Sequence, residues 1–256
     1  MTTPFIVLSS QRTGSKYLEQ CLNSHPNINC SGEILLGYGG HYKKLPPKAL
    51  KKYRRARTLW QAIASGAMLF PKHFIDTAFS PEGEDVTAAG FRLMYNQIDR
   101  DPRVLPHIQS TVDLKVVHLF RQNLLKQFVS LKLMHDQAKH GRFQAHSFKS
   151  SKAVKINVPP HEAIRFIQNV IEAREKHELS FSKFPIMRVN YEDIVSADKG
   201  EIIKKEIASF LGAPQLSMKS DQVKMNPSSL HEYVTNMDEI SQVFKENGFT
   251  KYLEMA

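Results

Sequence analysis

Pro4-Phe5-Ile6-Val7-Leu8-Ser9-Ser10-Gln11-Arg12-Thr13-Gly14-Ser15-Lys16-Tyr17-Leu18-Glu19-Gln20-Cys21-Leu22 changes character twice along its length. Pro4 to Ser9 is a short apolar run, as expected of a strand buried on both faces. From Lys16 the spacing becomes helical, with Tyr17, Leu18, Cys21 and Leu22 sharing one face, and Pro26 closes the element. Between them, Ser10 to Ser15 is polar and holds Gly14. Strand, glycine-bearing loop and helix together present backbone N–H groups to an anion at the helix N-terminus.

The same alternation continues outward. Asn27 to Cys30 reads as a second short strand ending at Ser31-Gly32-Glu33, and 37–47 as a loop punctuated by Gly39-Gly40 and Pro46-Pro47. Ala49 to Leu69 is helical with a very basic first half. Strands follow at Ala89 to Tyr95 and Lys115 to Phe120, then a helix from Asn123 to His135. The segment 140–160 is basic, polar and aperiodic, and reads as a mobile loop or excursion, since α/β patterning resumes beyond it. A helix is predicted over His161 to His177 and a strand over Pro185 to Val189. A further helix over Lys199 to Leu211 is stopped by Gly212 and Pro214, and the last runs from Asp238 to Asn247. No internal repeat interrupts this order. The expected fold is a single α/β domain spanning 1–256: three layers, with a mostly parallel central sheet covered on both faces.

Composition sets limits on function. Apolar and charged fractions of 41% and 23% argue against wholesale disorder. No stretch is long and apolar enough to cross a bilayer, and the start at Met1-Thr2-Thr3-Pro4 lacks the marks of a signal peptide. A cytoplasmic protein without integral membrane contact is expected. Cys21 and Cys30 form neither a disulfide framework nor the paired spacing of a zinc site, and read as buried, inert thiols. The net charge of +10 fits a polyanionic partner. Without a recognition helix, zinc finger or aromatic-rich sheet motif, nucleic acid is not expected, and a small anionic ligand accounts for the excess equally well. Homo-oligomerisation is left open.

The loop Ser9 to Lys16 departs from the Walker A pattern, which needs glycine, four residues, then Gly-Lys-Ser/Thr. Ser9 replaces the first glycine, Ser15 stands where the lysine belongs, and the basic residue is Arg12, two positions before Gly14. That counts against ATP or GTP hydrolysis. Gln-Arg-Thr-Gly-Ser after an apolar strand instead resembles the phosphosulfate-binding loop of sulfotransferases that use 3′-phosphoadenosine 5′-phosphosulfate (PAPS). Within that P-loop-like fold the resemblance implies that Arg12 bridges the nucleotide phosphate and the transferring sulfuryl group. It implies that Thr13, Gly14, Ser15, Lys16 and Tyr17 line the nucleotide site at the helix start.

Three further segments occur in family order. His118-Leu119-Phe120-Arg121-Gln122-Asn123, leading to Ser130, resembles the 3′-phosphate site, in which a strand-end arginine and a helical serine both bind that phosphate; the gap of nine between them suits the bacterial carbohydrate branch. Arg188-Val189-Asn190-Tyr191-Glu192-Asp193 is similar to the strand-end Tyr-Glu-Asp, whose tyrosine lies near the adenine while the acids brace the fold. Val223-Lys224-Met225-Asn226-Pro227 falls near the loop that closes over the 3′-phosphate, which makes Lys224 a candidate. The nearest resemblance is to bacterial carbohydrate sulfotransferases of the nodulation-factor and trehalose types. It is carried also by His25-Pro26-Asn27, Gly32-Glu33 and Asn247-Gly248-Phe249.

A sulfuryl transfer needs a base for the acceptor hydroxyl. Glu33, after a predicted strand end, is the candidate, as in the trehalose-type enzymes, with His118 and His25 as rivals. The plain structural alternative for Glu33 is a helix N-terminal acid stabilised by the dipole. Arg92, in Gly90-Phe91-Arg92-Leu93-Met94-Tyr95, lies where many carbohydrate sulfotransferases carry Gly-Phe-Lys. Arg92 and Tyr95 are therefore acceptor-site candidates, against a buried arginine paired with an acid. The run from Lys43 to Arg57 reads as a solvated basic face or an attractor for an anionic acceptor. No metal is required, and adenosine 3′,5′-bisphosphate (PAP) would be the product. The alternatives from other classes are a P-loop kinase-like phosphotransferase and a catalytically inactive nucleotide-binding protein.

Overall fold

A computed structural model describes residues 2–35, 71–80, 83–139, 155–221 and 229–254. The expected loop over 37–47, the helix over Ala49 to Leu69, the basic run from Lys43 and Lys224 lie outside the described residues, as does 140–154 of the aperiodic segment.

Five strands form one sheet: β1 (Thr3–Ser9), β2 (Ile28–Cys30), β3 (Ala88–Met94), β4 (Lys115–Phe120) and β5 (Ile186–Asn190). Their order is β2-β3-β1-β4-β5, and every pair is parallel. In register, Phe5 stands opposite Gly90 on one side and Lys115 on the other. Side chains alternate across a strand. On one face Phe5, Val7, Ala88, Val117, Leu119 and Val189 pack on α1 (Ser15–Asn23) through Leu18, Cys21 and Leu22. The same face packs on α8 (Gly200–Leu211) through Ile207, Ala208 and Leu211. On the other face Phe91 meets Phe79 of α2 (Pro71–Phe79) with ring centroids 5.4 Å apart. Each such large apolar side chain contributes roughly 1.5–3 kcal/mol on full burial. All seven residues of β3 are buried, which is why an uninterrupted Ala88–Met94 run reads as a strand without alternation.

Two short helices, α3 (Tyr95–Arg100) and α4 (Val104–Gln109), separate β3 from β4. Sequence periodicity does not predict them. Tyr95, expected as the end of the strand, opens α3 instead, because the Gln97 side chain turns back and accepts a hydrogen bond from the Met94 N–H at 3.0 Å. Beyond β4 come α5 (Leu124–Lys139) and α6 (Pro160–Ser180), and α7 (Tyr191–Ile194) follows β5. The chain ends in α9 (Met237–Glu246) and α10 (Lys251–Glu254).

The chain divides into two compact units. The first, Met1–Phe120 with Lys176–Asp221, contains the sheet. The second, Arg121–Glu175 with Gln222–Ala256, has its own core, in which Leu125, Val129, Ile164, Ile167, Leu230 and Phe244 are buried. Ile156 and Val158 belong to this core. Ile156 forms a parallel bridge with Val234, and Asn236 bonds both the N–H and the carbonyl of Val158 at 2.9 Å.

The strand order reverses at β1: β2 and β3 lie to one side, β4 and β5 to the other. Ligands of open α/β sheets bind outside the carboxyl ends of the strands at such a point. Within the first unit, the residues that follow those ends are the loop 10–14, Ser31-Gly32-Glu33, Tyr95 and Tyr191.

Candidate active site

The loop after β1 is bent by two residues in the left-handed region, Arg12 at φ 63° and Gly14 at φ 87°. Thr13 is buried between them and donates its hydroxyl to the Ser10 carbonyl at 2.7 Å, so its proton braces the loop. Gly14 is the N-cap of α1, and its carbonyl accepts from the N–H groups of Tyr17 at 2.9 Å and Leu18 at 3.2 Å. No side chain caps this helix. Gly14 is required twice: its backbone is left-handed, and a Cβ there would run into the ring of Tyr191. Tyr191 thus lies directly against the loop, held by the turn that opens α7. Asn190 caps that turn, accepting from the Glu192 N–H at 3.4 Å and donating to Asp193 at 3.0 Å, while Lys199 pairs with Asp193 at 3.2 Å. Lys16 and Tyr17 are half-buried on α1, and burial, then the neighbouring Cys21, pushes the Tyr17 phenol up to about 12.

The second feature is a buried charge cluster. Arg92 on β3, 7% exposed, places Nε 2.7 Å from Glu19 of α1 and Nη1 3.1 Å from Glu33. Nη1 also donates to the Ser15 hydroxyl at 3.0 Å. The Glu19 contact is bent away from hydrogen-bond alignment, so charge attraction holds it. The Ser31-Gly32-Glu33 turn is tied to β3 by its backbone: Ser31 N–H donates to Gly90 and Arg92 N–H to Gly32, both at 2.8 Å. Gly32, at φ 76°, leaves room for the Glu19 carboxylate, which a Cβ would meet at 3.3 Å. Glu33 itself is 21% exposed, and its second oxygen accepts from Gln97 at 3.4 Å. The candidate base and the anion loop are therefore joined through one guanidinium. Arg92, expected at the acceptor, is engaged with Glu19, Glu33 and Ser15.

Both rival histidines have hydrogen-bond partners at both ring nitrogens. His25 is buried, with Nε2 2.8 Å from the Pro214 carbonyl and Nδ1 accepting from the Asn27 N–H at 3.1 Å. His118 is fully buried, with Nδ1 2.7 Å from Glu178 and Nε2 2.5 Å from the Tyr95 hydroxyl. An ionised carboxylate can only accept, so His118 Nδ1 carries the proton shared with Glu178. Arg188 first, then His118, hold Glu178 below the usual carboxylate range. Tyr95 also stacks on His177 at 5.0 Å and is 4% exposed, so it supports the wall behind β3.

In the second unit, Arg121 is half-buried and Ser130 is buried on α5. Among the described residues no group of three or more His, Cys, Asp or Glu side chains is placed to hold a metal, and no helix is long and apolar enough to cross a membrane. Glu19, Gln97 and Glu178 escape a reading of the sequence. For Glu19 a signal exists: it lies four residues after Ser15, on the same side of α1, so both can reach one partner.

Residues 4–217 match the family model described as the sulfotransferase family. The chain belongs to the sulfotransferase family. Among curated proteins, this sulfotransferase is similar to nodulation protein H of Rhizobium tropici, 23% identical over 254 residues covering 98% of this chain and 93% of the relative. Nodulation protein H of Rhizobium meliloti (strain 1021) is 23% identical over 255 residues, covering 99% and 96%. Among solved structures, the sulfotransferase domain from the curacin biosynthetic pathway superposes with a TM-score of 0.51 at 13% identity, covering 96% of this chain and 98% of that one. The sulfotransferase from Alicyclobacillus acidocaldarius gives a TM-score of 0.48 at 14% identity, covering 99% and 96%.

Proposed function

We propose that this sulfotransferase moves a sulfuryl group from PAPS to a hydroxyl of a carbohydrate or glycolipid, with Glu33 as the base. The observation that carries the reading is the position of Glu33, a partly exposed carboxylate after β2 fixed to the anion loop through Arg92 and Ser15. In the step, the acceptor oxygen bonds to sulfur as its proton passes to Glu33. The bond from sulfur to the 5′-phosphate oxygen breaks, and PAP leaves with that electron pair. Charge grows on the leaving oxygen only as the bond breaks, so Arg12, with its planar fork, acts mainly in the transition state. Ser15 accepts from Arg92 and so retains its own hydroxyl proton for the 5′-phosphate. The uncapped start of α1 favours the same anion. Tyr191 is proposed beside the adenine, Lys16 and Tyr17 along the nucleotide, and Arg121, Ser130 and Lys224 at the 3′-phosphate. Arg92 and Tyr95 are proposed to shape the acceptor side from behind. No metal enters the scheme. A cytoplasmic setting, where PAPS would be supplied, is part of the proposal and agrees with the unpaired, buried thiols of Cys21 and Cys30.

The test is a screen with radiolabelled PAPS against mono-, di- and oligosaccharides. Label transferred to at least one saccharide hydroxyl is expected. A protein that binds PAP yet labels nothing across the panel is a nucleotide-binding module and not this enzyme.

A further inference from the structure

An arginine clamped on a general base is a contradictory arrangement. The guanidinium fixes the carboxylate, but it also stabilises the anion and so weakens its pull on a proton. The structure meets this with a second acid. Glu19 brings its carboxylate to 2.7 Å from Arg92 Nε, on the same guanidinium whose Nη1 is 3.1 Å from Glu33. Two carboxylates thus share one guanidinium. Glu19 is buried beneath Gly32, one residue before Glu33 in the chain.

We propose that Glu19 is a positioning and charge-balancing residue for Glu33. It divides the Arg92 charge, so that Glu33 is held in place while remaining able to take a proton. This rests on the reading of Glu33 as the base. The other groups that face the cluster among the described residues do not replace Glu19. Ser15 from α1 and Gln97 from α3 are neutral. Cys30 from β2 is kept a neutral thiol, pushed up to about 12 by burial and then by Glu19 itself. Arg100 directs its guanidinium to the Leu35 carbonyl at 2.8 Å. Among the described residues, Glu19 is therefore the one anion placed against Arg92 besides the base.

The proposal is tested by following the Glu33 carboxyl carbon by NMR through a pH titration, with PAP bound, the resonance being assigned by its loss in Glu33→Gln. Glu19→Gln keeps the shape and removes the balancing charge, so the Glu33 midpoint should move to lower pH by about one unit, the scale of a single nearby charge. Glu19→Met removes the same charge with an unbranched side chain and decides the matter if Glu19→Gln does not fold. Arg92→Gln, which should move the midpoint in the opposite direction, is the control that the resonance reads this cluster. A merely structural Glu19 would alter stability without moving the Glu33 midpoint. A midpoint that stays in place in the Glu19 variants overturns the proposal. The reading of Glu33 as the base is tested apart from this: sulfate transfer that survives Glu33→Gln removes the base whatever the titration shows.

Discussion

Replacing Gly14 with alanine sets a methyl group where the ring of Tyr191 already lies. The backbone at φ 87° and ψ 14° adds a left-handed penalty of about 1–2 kcal/mol for any residue with a Cβ. Forcing extra volume against a packed ring typically costs a further 1–3 kcal/mol or so. The turn that carries Tyr191 is fixed, because Asn190 caps α7 and Lys199 pairs with Asp193. Gly14→Ala should therefore lose about 2–5 kcal/mol, the sum of those two ranges. The assay is urea denaturation followed by far-ultraviolet circular dichroism for Gly14→Ala, Tyr191→Ala and the double variant. Removing the ring removes the clash, so the double variant should be more stable than the sum of the single losses by about 1–3 kcal/mol. Simple additivity would refute the contact between Tyr191 and the loop, and with it the argument that glycine is demanded by packing as well as by dihedral.

Other consequences follow from the same geometry. Arg121→Ala should weaken PAP binding by the equivalent of roughly 1.5–3 kcal/mol and leave AMP binding nearly unchanged, as isothermal titration would show; equal losses for both nucleotides would remove Arg121 from the 3′-phosphate. Tyr95→Phe removes the buried hydrogen bond between the Tyr95 hydroxyl and His118 Nε2 and should cost roughly 0.5–1.5 kcal/mol of stability by urea denaturation. An unchanged denaturation midpoint would contradict a stabilising role for that bond. Glu178 sits below its ordinary 4.5 because Arg188 and His118 stabilise the anion, so its contribution is present above that value and is lost as pH falls through the lower folded-state value. Melting temperature against pH should fall less steeply below 4.5 for Glu178→Gln than for the wild type, and parallel curves would contradict the assignment.

The strands and the anion loop are legible because local chemistry dictates them. Phe5 to Leu8 are apolar on consecutive positions, and Val116 to Leu119 are apolar but for His118, as suits a doubly covered parallel strand. The loop at Arg12 to Ser15 is recognisable because strand, glycine and helix follow one another in sequence. The short helix at Tyr95 is not legible: six residues give too little periodicity, and its start is set by the Gln97 side chain folding back. The Glu19–Arg92–Glu33 cluster is hidden for another reason. Its members come from α1, β3 and the turn after β2, and only the register of β2 with β3 brings them together. Arg92 is read from sequence as an acceptor contact or a buried pair, and the fold supplies the two acids that engage it. His118 and His25 can be weighed only once both ring nitrogens are seen to be occupied.

The central claim is that Glu33 takes the acceptor proton while the nucleotide is held elsewhere. Single-turnover sulfate transfer from PAPS by Glu33→Gln, run beside a PAP titration, tests it most directly. A general base at Glu33 requires a rate lower by roughly 10²–10⁴-fold in this variant, with PAP affinity essentially unchanged. A near-normal rate would contradict it, and a collapse of PAP binding would show instead that Glu33 braces the loop through Arg92 and Ser15.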